Sequence, residues 1–221
     1  MEDIDVLKAH IKAQAVKSFP KAMLEDLMKR CERAYLETFA EVSHSKTTLL
    51  EQRIHMLRQA RCFRMDYELA KSAEKFGIPY TAKPLAENDW QYTYVTAGDF
   101  GVTQSYVQKM GCLPNPAKFR DTLAKTSNIP QLPLEDDAEI FKPRNFYGLF
   151  AHNPVGAIFE EEKQKLGSIQ LCVPYGCMRK FALEVSIAEL LAEYPSVATP
   201  SIAIPAPTWK RDPKRKDTGT E

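Results

Sequence analysis

Residues 97–110, AGDFGVTQSYVQKM, decide the fold of the middle of this chain, because they fit two different structures. In the first, two helices meet with Ala97 where they cross, and Gly101 makes the turn between them. In the second, residues 90–96 and 102–108 are the two strands of a hairpin. The helical version would turn three side chains toward the core, namely Val102, Val107 and Met110.

The helical version is a helix-turn-helix, and these residues resemble that motif as it occurs in many bacterial and phage regulators. The resemblance covers this segment alone. It implies that the second helix enters the major groove of DNA, with polar side chains on base edges and a lysine near phosphate. The implied contacts are Thr103, Gln104, Ser105, Gln108 and Lys109.

The strand version is favoured by the residues before the loop. Trp90, Tyr92 and Tyr94 occupy alternate positions, which is the period of a strand. Gly98 is unfavourable inside a helix. Both versions stay open for residues 88–128.

The first 80 residues predict a long helical hairpin. Apolar side chains recur at three- and four-residue steps on both sides of residues 43–45, as expected for two helices that each bury one face. Ser45 is a suitable N-cap for the second helix, and Gly77 with Pro79 marks its end. The stripes consist of Leu24, Leu27, Met28, Cys31, Tyr35 and Phe39, and then Leu49, Leu50, Ile54, Leu57, Phe63, Tyr67 and Ala70.

Residues 145–195 predict a mixed unit of strands and helices. Residues 146–151 have the composition of a strand. Asn153 and Pro154 have the pattern of an N-cap followed by a first helical residue, and they predict a helix that ends at Gly167.

A second hairpin and a short helix complete this unit. Residues 168–173 and 178–185 alternate between apolar and polar side chains, with turn residues at 174–176. Ser186 and Glu189 have the spacing of a capping box, which predicts a helix that stops before Pro195.

Two segments lack the pattern of helices and strands. Residues 129–144 combine prolines with acidic side chains and predict a linker, which follows a short helix at residues 117–125. Residues 196–221 predict an extended tail with a basic cluster beside Trp209, which could follow a phosphate backbone while the indole stacks on a base. The cluster consists of Lys210, Arg211, Lys214, Arg215 and Lys216.

Composition and charge limit the function classes. The chain has 221 residues and a net charge of +1, so it has no global attraction to nucleic acid. Its five cysteines are scattered, which favours reduced thiols and a cytoplasmic protein. The N-terminal sequence MEDIDVLKAH lacks the basic and apolar regions of a secretory signal. No stretch has the roughly 20 apolar residues of a spanning helix. We expect a soluble, intracellular protein with no membrane partner.

Catalytic and metal-binding patterns are missing from the sequence. The histidines do not occur at ligand spacing, and Cys172 with Cys177 has no second pair nearby to complete a zinc site, so both thiols are expected in the core. Residues 99–101 match a tripeptide of protein kinases whose other motifs are missing. Glu184 lies on a predicted strand without the lysine pattern of a metal-dependent nuclease. We expect no metal and no cofactor, and a nuclease-like enzyme is the remaining catalytic alternative.

Three arginines of the second long helix, Arg58, Arg61 and Arg64, form one stripe. Such a stripe is typical of a solvated face, and phosphate contact is the alternative.

The sequence thus predicts an α+β protein with a non-catalytic binding function. The first hypothesis is a nucleic-acid-associated binding or adaptor protein, and a helix-turn-helix regulator if the helical version of residues 97–110 holds. The alternative is a structural subunit of a larger protein or nucleoprotein assembly. That subunit would grip its partners with the aromatic strand at residues 90–94 and with the tail. The expected partners are DNA or RNA in the first case and protein in the second.

Overall fold

A computed structural model describes residues 2–85, 90–127, 129 and 144–195. Within these ranges the protein has six helices and one mixed sheet of six strands, so the predicted α+β class is confirmed. Most of the predicted linker (130–143) and the whole predicted tail (196–221) lie outside the described residues.

Three helices form the N-terminal part of the chain: α1 (Glu2–Ser18), α2 (Lys21–Ser43) and α3 (Leu50–Lys75). Pro20 separates α1 from α2, because the residue before a proline avoids the helical conformation.

The helices α2 and α3 lie antiparallel, as the ion pairs between them require. Asp26, near the start of α2, contacts Lys75 at the end of α3 at 2.5 Å. Glu37, near the end of α2, contacts Arg64 nearer the start of α3. The predicted helical hairpin is therefore present.

The predicted end of α3 is confirmed, but its predicted start is wrong. Ser45 was predicted as the N-cap and this is wrong, because the helix begins at Leu50 and Leu49 holds the cap position without a side-chain bond. The predicted stop is confirmed, since Gly77 follows the helix with a φ of +68°. A left-handed residue at this place lets the chain leave a helix sharply.

The sheet has its strands in chain order from one edge to the other. The third and fourth strands are parallel, and all other neighbours are antiparallel. A parallel pair needs a crossover, and the chain between these two strands includes α4 (Lys118–Thr126). The strands are β1 (Tyr80–Pro84), β2 (Gln91–Ala97), β3 (Phe100–Tyr106), β4 (Phe146–Pro154), β5 (Leu166–Pro174) and β6 (Phe181–Ser186).

The central segment is a hairpin of β2 and β3, so its strand version is confirmed and its helix-turn-helix version is wrong. Gly98 lies in the turn with a φ of +52°, a conformation that glycine adopts without strain. The aromatic and β-branched residues before the turn favour a strand over a helix, which explains why the hairpin forms.

The two faces of the sheet are covered differently. One face packs against the N-terminal helices and forms the larger hydrophobic core, in which Phe19 contacts the rings of Phe100 and Phe150. The other face carries a smaller core around Tyr147 and Leu149, which also contains Ala124 of α4.

The C-terminal unit differs from the prediction at its first helix. Asn153 and Pro154 belong to β4, and the predicted helix up to Gly167 is reduced to α5 (Glu161–Gln164). The pairing of β4 with β5 extends the strand through these residues and overrides the local N-cap pattern. The predicted second hairpin is confirmed as β5 and β6. The capping box of Ser186 and Glu189 is also confirmed, and it begins α6 (Ile187–Ala192).

Gly167 lies where β5 crosses the bulged end of β4. A Cβ atom here would lie 2.8 Å from the backbone of Pro154 and Val155, and the backbone cannot move aside as a side chain can. We expect Gly167→Ala to lower the free energy of unfolding by about 1 to 3 kcal/mol, the usual cost of overpacking. Urea unfolding measures this loss. Gly176→Ala is the matched control, because its Cβ would meet only ordinary contacts at 3.7 Å or more. Equal stability of the two variants would contradict the expectation.

Candidate binding surface

The predicted DNA contacts in the centre of the chain lie inside the protein. Thr103, Gln104 and Ser105 are buried in β3, so a role for them as exposed base contacts of a recognition helix does not fit this fold. The Thr103 hydroxyl bonds the Tyr147 hydroxyl at 2.9 Å. A recognition helix would expose these polar side chains, whereas a central strand buries them. The same polar residues occur in both kinds of element, so the sequence alone does not show whether they are exposed.

The remaining predicted contacts have separate positions. Gln108 and Lys109 follow β3 and are exposed, so their contact with nucleic acid stays a prediction. The tail contacts, Trp209, Lys210, Arg211, Lys214, Arg215 and Lys216, lie outside the described residues.

Gln104 belongs to a buried chain of hydrogen bonds that links three elements. Its side-chain nitrogen donates to the Cys62 carbonyl at 3.0 Å, so its oxygen is free to accept from His152 Nε2 at 2.9 Å. The other ring nitrogen of His152 then accepts from the Tyr35 hydroxyl at 2.7 Å. This arrangement requires a neutral His152 with its proton on Nε2.

Burial keeps this chain of groups unreactive. Burial and the nearby Arg61 guanidinium lower the pKa of His152 to about 3, and burial raises the pKa of Tyr35 well above its usual value. His152 is fully buried, so no solvent-borne substrate reaches it. The Tyr35, His152 and Gln104 side chains therefore connect α2 to the parallel strands inside the protein.

The arginine stripe on α3 is divided between the interior and the surface. Arg61 is 1% exposed, which corrects the interpretation of the stripe as a solvated face. Its guanidinium lies 4.0 Å from the centroid of the Tyr35 ring, and it donates to the Gln164 side chain at 2.7 Å and to the Gln164 carbonyl. Arg64, one turn away, pairs with Glu37 and Glu68. Helical spacing alone could not separate these environments.

Asp66 of α3 fastens the start of β2 to the helix. The ladder between β2 and β3 covers only three residue pairs from Val95 to Ala97, so the Thr93 N–H has no partner in β3. It donates instead to the Asp66 carboxylate at 3.1 Å, while the Thr93 hydroxyl donates to the Asp66 carbonyl at 3.0 Å. Burial raises the pKa of Asp66 to about 6, although the bonds from Thr93 and Gln104 act in the opposite direction.

The pKa of Asp66 has a consequence for stability. Because the folded state binds its proton more tightly than the unfolded chain does, this group makes the fold less stable as pH rises from about 4 to about 6. We expect Asp66→Asn, which still accepts from Thr93, to remove this part of the pH dependence. Urea unfolding of both proteins at several pH values in that window measures it. A constant stability difference across the window would contradict the expectation.

Four aromatic side chains on α3, in β1 and next to the start of β2 are exposed. Phe63, Tyr67, Tyr80 and Trp90 are 39% to 51% exposed. The rings of Phe63 and Trp90 lie 5.2 Å apart between centroids, and Tyr67 follows Phe63 by one helical turn. We call these four residues the aromatic strip.

Cations border the aromatic strip. The Arg64 guanidinium lies 5.6 Å and the Lys71 ammonium 5.9 Å from the centroid of the Tyr67 ring. Lys71 also interacts electrostatically with Tyr80. The surface therefore offers aromatic faces and positive charge side by side.

Sequence reasoning identified only part of this surface. Trp90 was singled out within the aromatic strand, whereas Phe63 and Tyr67 were assigned to the buried stripe of α3, which is wrong. Their period of four residues is compatible with either face of a helix. Another set of apolar residues could have shown that Phe63 and Tyr67 lie on the exposed face. The buried face of α3 is already supplied by Leu57, Met65 and Leu69.

Metal and thiol chemistry find no support in the described part of the chain. It contains no group of three or more His, Cys, Asp or Glu side chains placed to hold a metal ion. Cys172 is buried, and burial raises the pKa of its thiol to about 12, whereas Cys177 is exposed, contrary to the prediction of a core thiol. No described helix has the length and hydropathy that crossing a membrane requires.

Comparison with known proteins finds no family model, no curated protein and no solved structure that matches this chain.

Proposed function

We propose that this protein is a non-catalytic binding protein whose aromatic strip contacts single-stranded nucleic acid. The observation that carries the proposal is the row of exposed rings of Phe63, Tyr67, Tyr80 and Trp90. Unpaired bases stack on such rings whatever their sequence, because every base has an aromatic face. Duplex DNA hides these faces, so the preferred ligand is single-stranded.

The charges around the aromatic strip support a contact with phosphate at its border. Lys71 and Arg64 lie over Tyr67, where a phosphate group next to a stacked base can reach them. Lys71 also pairs with Glu74 at 2.6 Å, and Arg64 with Glu37 and Glu68. Because these carboxylates neutralise much of the positive charge, we expect stacking to supply more of the affinity than counterion release does.

Variants of the aromatic strip test the proposal. We expect Phe63→Ala with Tyr67→Ala to weaken binding of a labelled single-stranded oligothymidine at least tenfold, since each stacked ring contributes about 1 to 3 kcal/mol. Fluorescence anisotropy measures the affinity at low and moderate salt. Leu36→Ala and Leu50→Ala are matched controls, because both side chains are exposed and lie outside the strip. Equal losses in strip and control variants would contradict the proposal, and so would no binding by the wild-type chain.

A protein partner is the second candidate, and the paired cations favour it. An aromatic surface with little net charge is typical of the centre of a protein interface, where Trp and Tyr contribute most. In this case the wild-type chain would not bind oligonucleotides at low salt. A photoreactive amino acid at position 63 would then give a discrete cross-linked product in native extract, and Tyr67→Ala would abolish it.

A further inference from the structure

Strand β1 lies at one edge of the sheet and separates the aromatic strip from the opposite face. Among the described residues it pairs with β2 alone, with Tyr80 opposite Val95 and Lys83 opposite Tyr92. Successive side chains of a strand point to opposite faces, so Tyr80 and Lys83, three positions apart, lie on opposite sides of the sheet. Because Tyr80 belongs to the aromatic strip, Lys83 lies across the edge of the sheet from that strip.

The edge of β1 offers a backbone donor between these two side chains. At one end of the pairing the Thr96 N–H donates to the Pro79 carbonyl at 2.9 Å, and at the other end the Leu85 N–H donates to the Trp90 carbonyl at 2.7 Å. The residues of a strand in an antiparallel pair direct their backbone groups alternately toward the partner and away from it. Ala82 is an odd number of positions from both ends, so its N–H points away from β2, and the residue is exposed.

Lys83 carries a charge that no described carboxylate pairs with. Its ammonium lies 3.8 Å from the centroid of the Tyr94 ring, and that contact with a neutral ring leaves the charge in place. On the other side of the edge, the ammonium of Lys71 pairs with Glu74 at 2.6 Å. Lys83 is therefore better able than Lys71 to bind an anion, and the anion that a nucleic acid presents is phosphate.

A second cation lies near Lys83, but its charge is offset. Tyr92, the partner of Lys83 in β2, stacks on Phe119 of α4 with ring centroids 4.2 Å apart. The Arg120 guanidinium lies 4.9 Å from the centroid of the Phe119 ring. Nearby carboxylates interact electrostatically with Arg120, so we assign the phosphate contact on this face to Lys83.

We propose that a single strand of nucleic acid held by the aromatic strip crosses the edge of the sheet at β1, and that Lys83 binds its phosphate on the opposite face. This inference rests on the proposed function, because the bases stay stacked on the strip. At the crossing, the Ala82 N–H donates to a phosphate oxygen. The Lys83 ammonium then forms a charge-assisted hydrogen bond to phosphate, which the paired cations of the strip are less able to supply.

Salt titrations of the full chain with a labelled oligothymidine of twelve nucleotides test the proposal. Lys83→Gln is expected to weaken binding at least threefold at low salt. It is also expected to lower the slope of log affinity against log salt concentration by about 0.7, the value of one phosphate contact to a single strand. Lys83→Arg keeps the charge and is expected to keep the wild-type affinity and slope. Lys29→Gln is the matched control, since Lys29 is exposed on α2.

Several results would overturn the crossing. Wild-type affinity and slope in Lys83→Gln would do so, while a loss in Phe63→Ala with Tyr67→Ala would still support the aromatic strip. Equal weakening by Lys83→Gln and Lys83→Arg would assign the lysine a packing role on Tyr94 instead of a phosphate contact. Two oligonucleotides bound per protein would place Lys83 in a separate site. If the wild-type chain binds no oligothymidine, the proposed function fails and this inference fails with it.

Discussion

Replacing Arg61 with alanine is expected to lower the free energy of unfolding by about 2 to 5 kcal/mol, the range for truncating a large buried side chain. The substitution removes the stacking on Tyr35 and the hydrogen bonds to Gln164. The acceptors on Gln164 then lose their buried donor. Gln164 also holds the carbonyls of Gly156 and Ile158, so the loop before α5 is expected to loosen as well.

Two further substitutions separate the parts of this effect. Arg61→Met keeps much of the volume and removes the charge, so it restores packing and leaves the Gln164 acceptors unpaired. We expect it to be less destabilising than Arg61→Ala. Arg33→Ala is the surface control, since Arg33 is more than half exposed and its pairs are expected to contribute less than 1 kcal/mol. Urea unfolding measures all three variants. A loss below 1 kcal/mol for Arg61→Ala would contradict the role given to this residue.

Acid is expected to destabilise the protein through His152. The pKa of His152 is about 3 in the folded state, where burial and Arg61 disfavour its charge, and near 6.5 in the unfolded chain. The unfolded chain therefore binds the extra proton between these values, so stability falls as pH falls below about 6.5. Between pH 7 and pH 5 this group alone costs about 2 kcal/mol.

A comparison of variants isolates this contribution, because Asp66 titrates in the opposite direction over part of the same range. His152→Gln cannot take up the proton. We expect it to be less stable than wild type at pH 7, where it disturbs the bonds to Tyr35 and Gln104, and to lose less on acidification. His44→Gln is the control, since His44 is exposed. Urea unfolding at pH 7 and pH 5 gives the difference, and an identical pH dependence of wild type and His152→Gln would contradict this account.

The elements with local signals could be predicted from the sequence. The capping box at Ser186 and the hairpin of β5 and β6 depend on residues close in the chain, and the structure has both. The helix predicted after Asn153 was wrong because pairing with β5 extends β4 through Pro154. Pairing between distant segments overrides local propensity, and a single sequence does not reveal it.

The polar interior and the binding surface could not be predicted for a related reason. Arg61, Gln104 and His152 are polar residues whose partners lie 26 or more positions away in sequence, so their burial depends on the tertiary fold. For Phe63 and Tyr67 the reverse holds: their apolar character predicts a core position, but both are exposed at the surface. For Arg61, Phe63 and Tyr67 the helical period was correct, but the period does not determine which face of the helix is buried.

The fluorescence of Trp90 tests the role of the aromatic strip most directly. The chain has two tryptophans, Trp90 and Trp209, so Trp209→Phe leaves Trp90 as the only indole. Titration with unlabelled oligothymidine is expected to quench its emission saturably, because a base stacked on the exposed indole quenches it by contact. Phe63→Ala with Tyr67→Ala in the same background is expected to shift the titration to at least tenfold higher oligonucleotide concentration. Emission from Trp90 that stays constant throughout the titration, at low salt and with the protein folded, would contradict the proposal that this surface binds single-stranded nucleic acid.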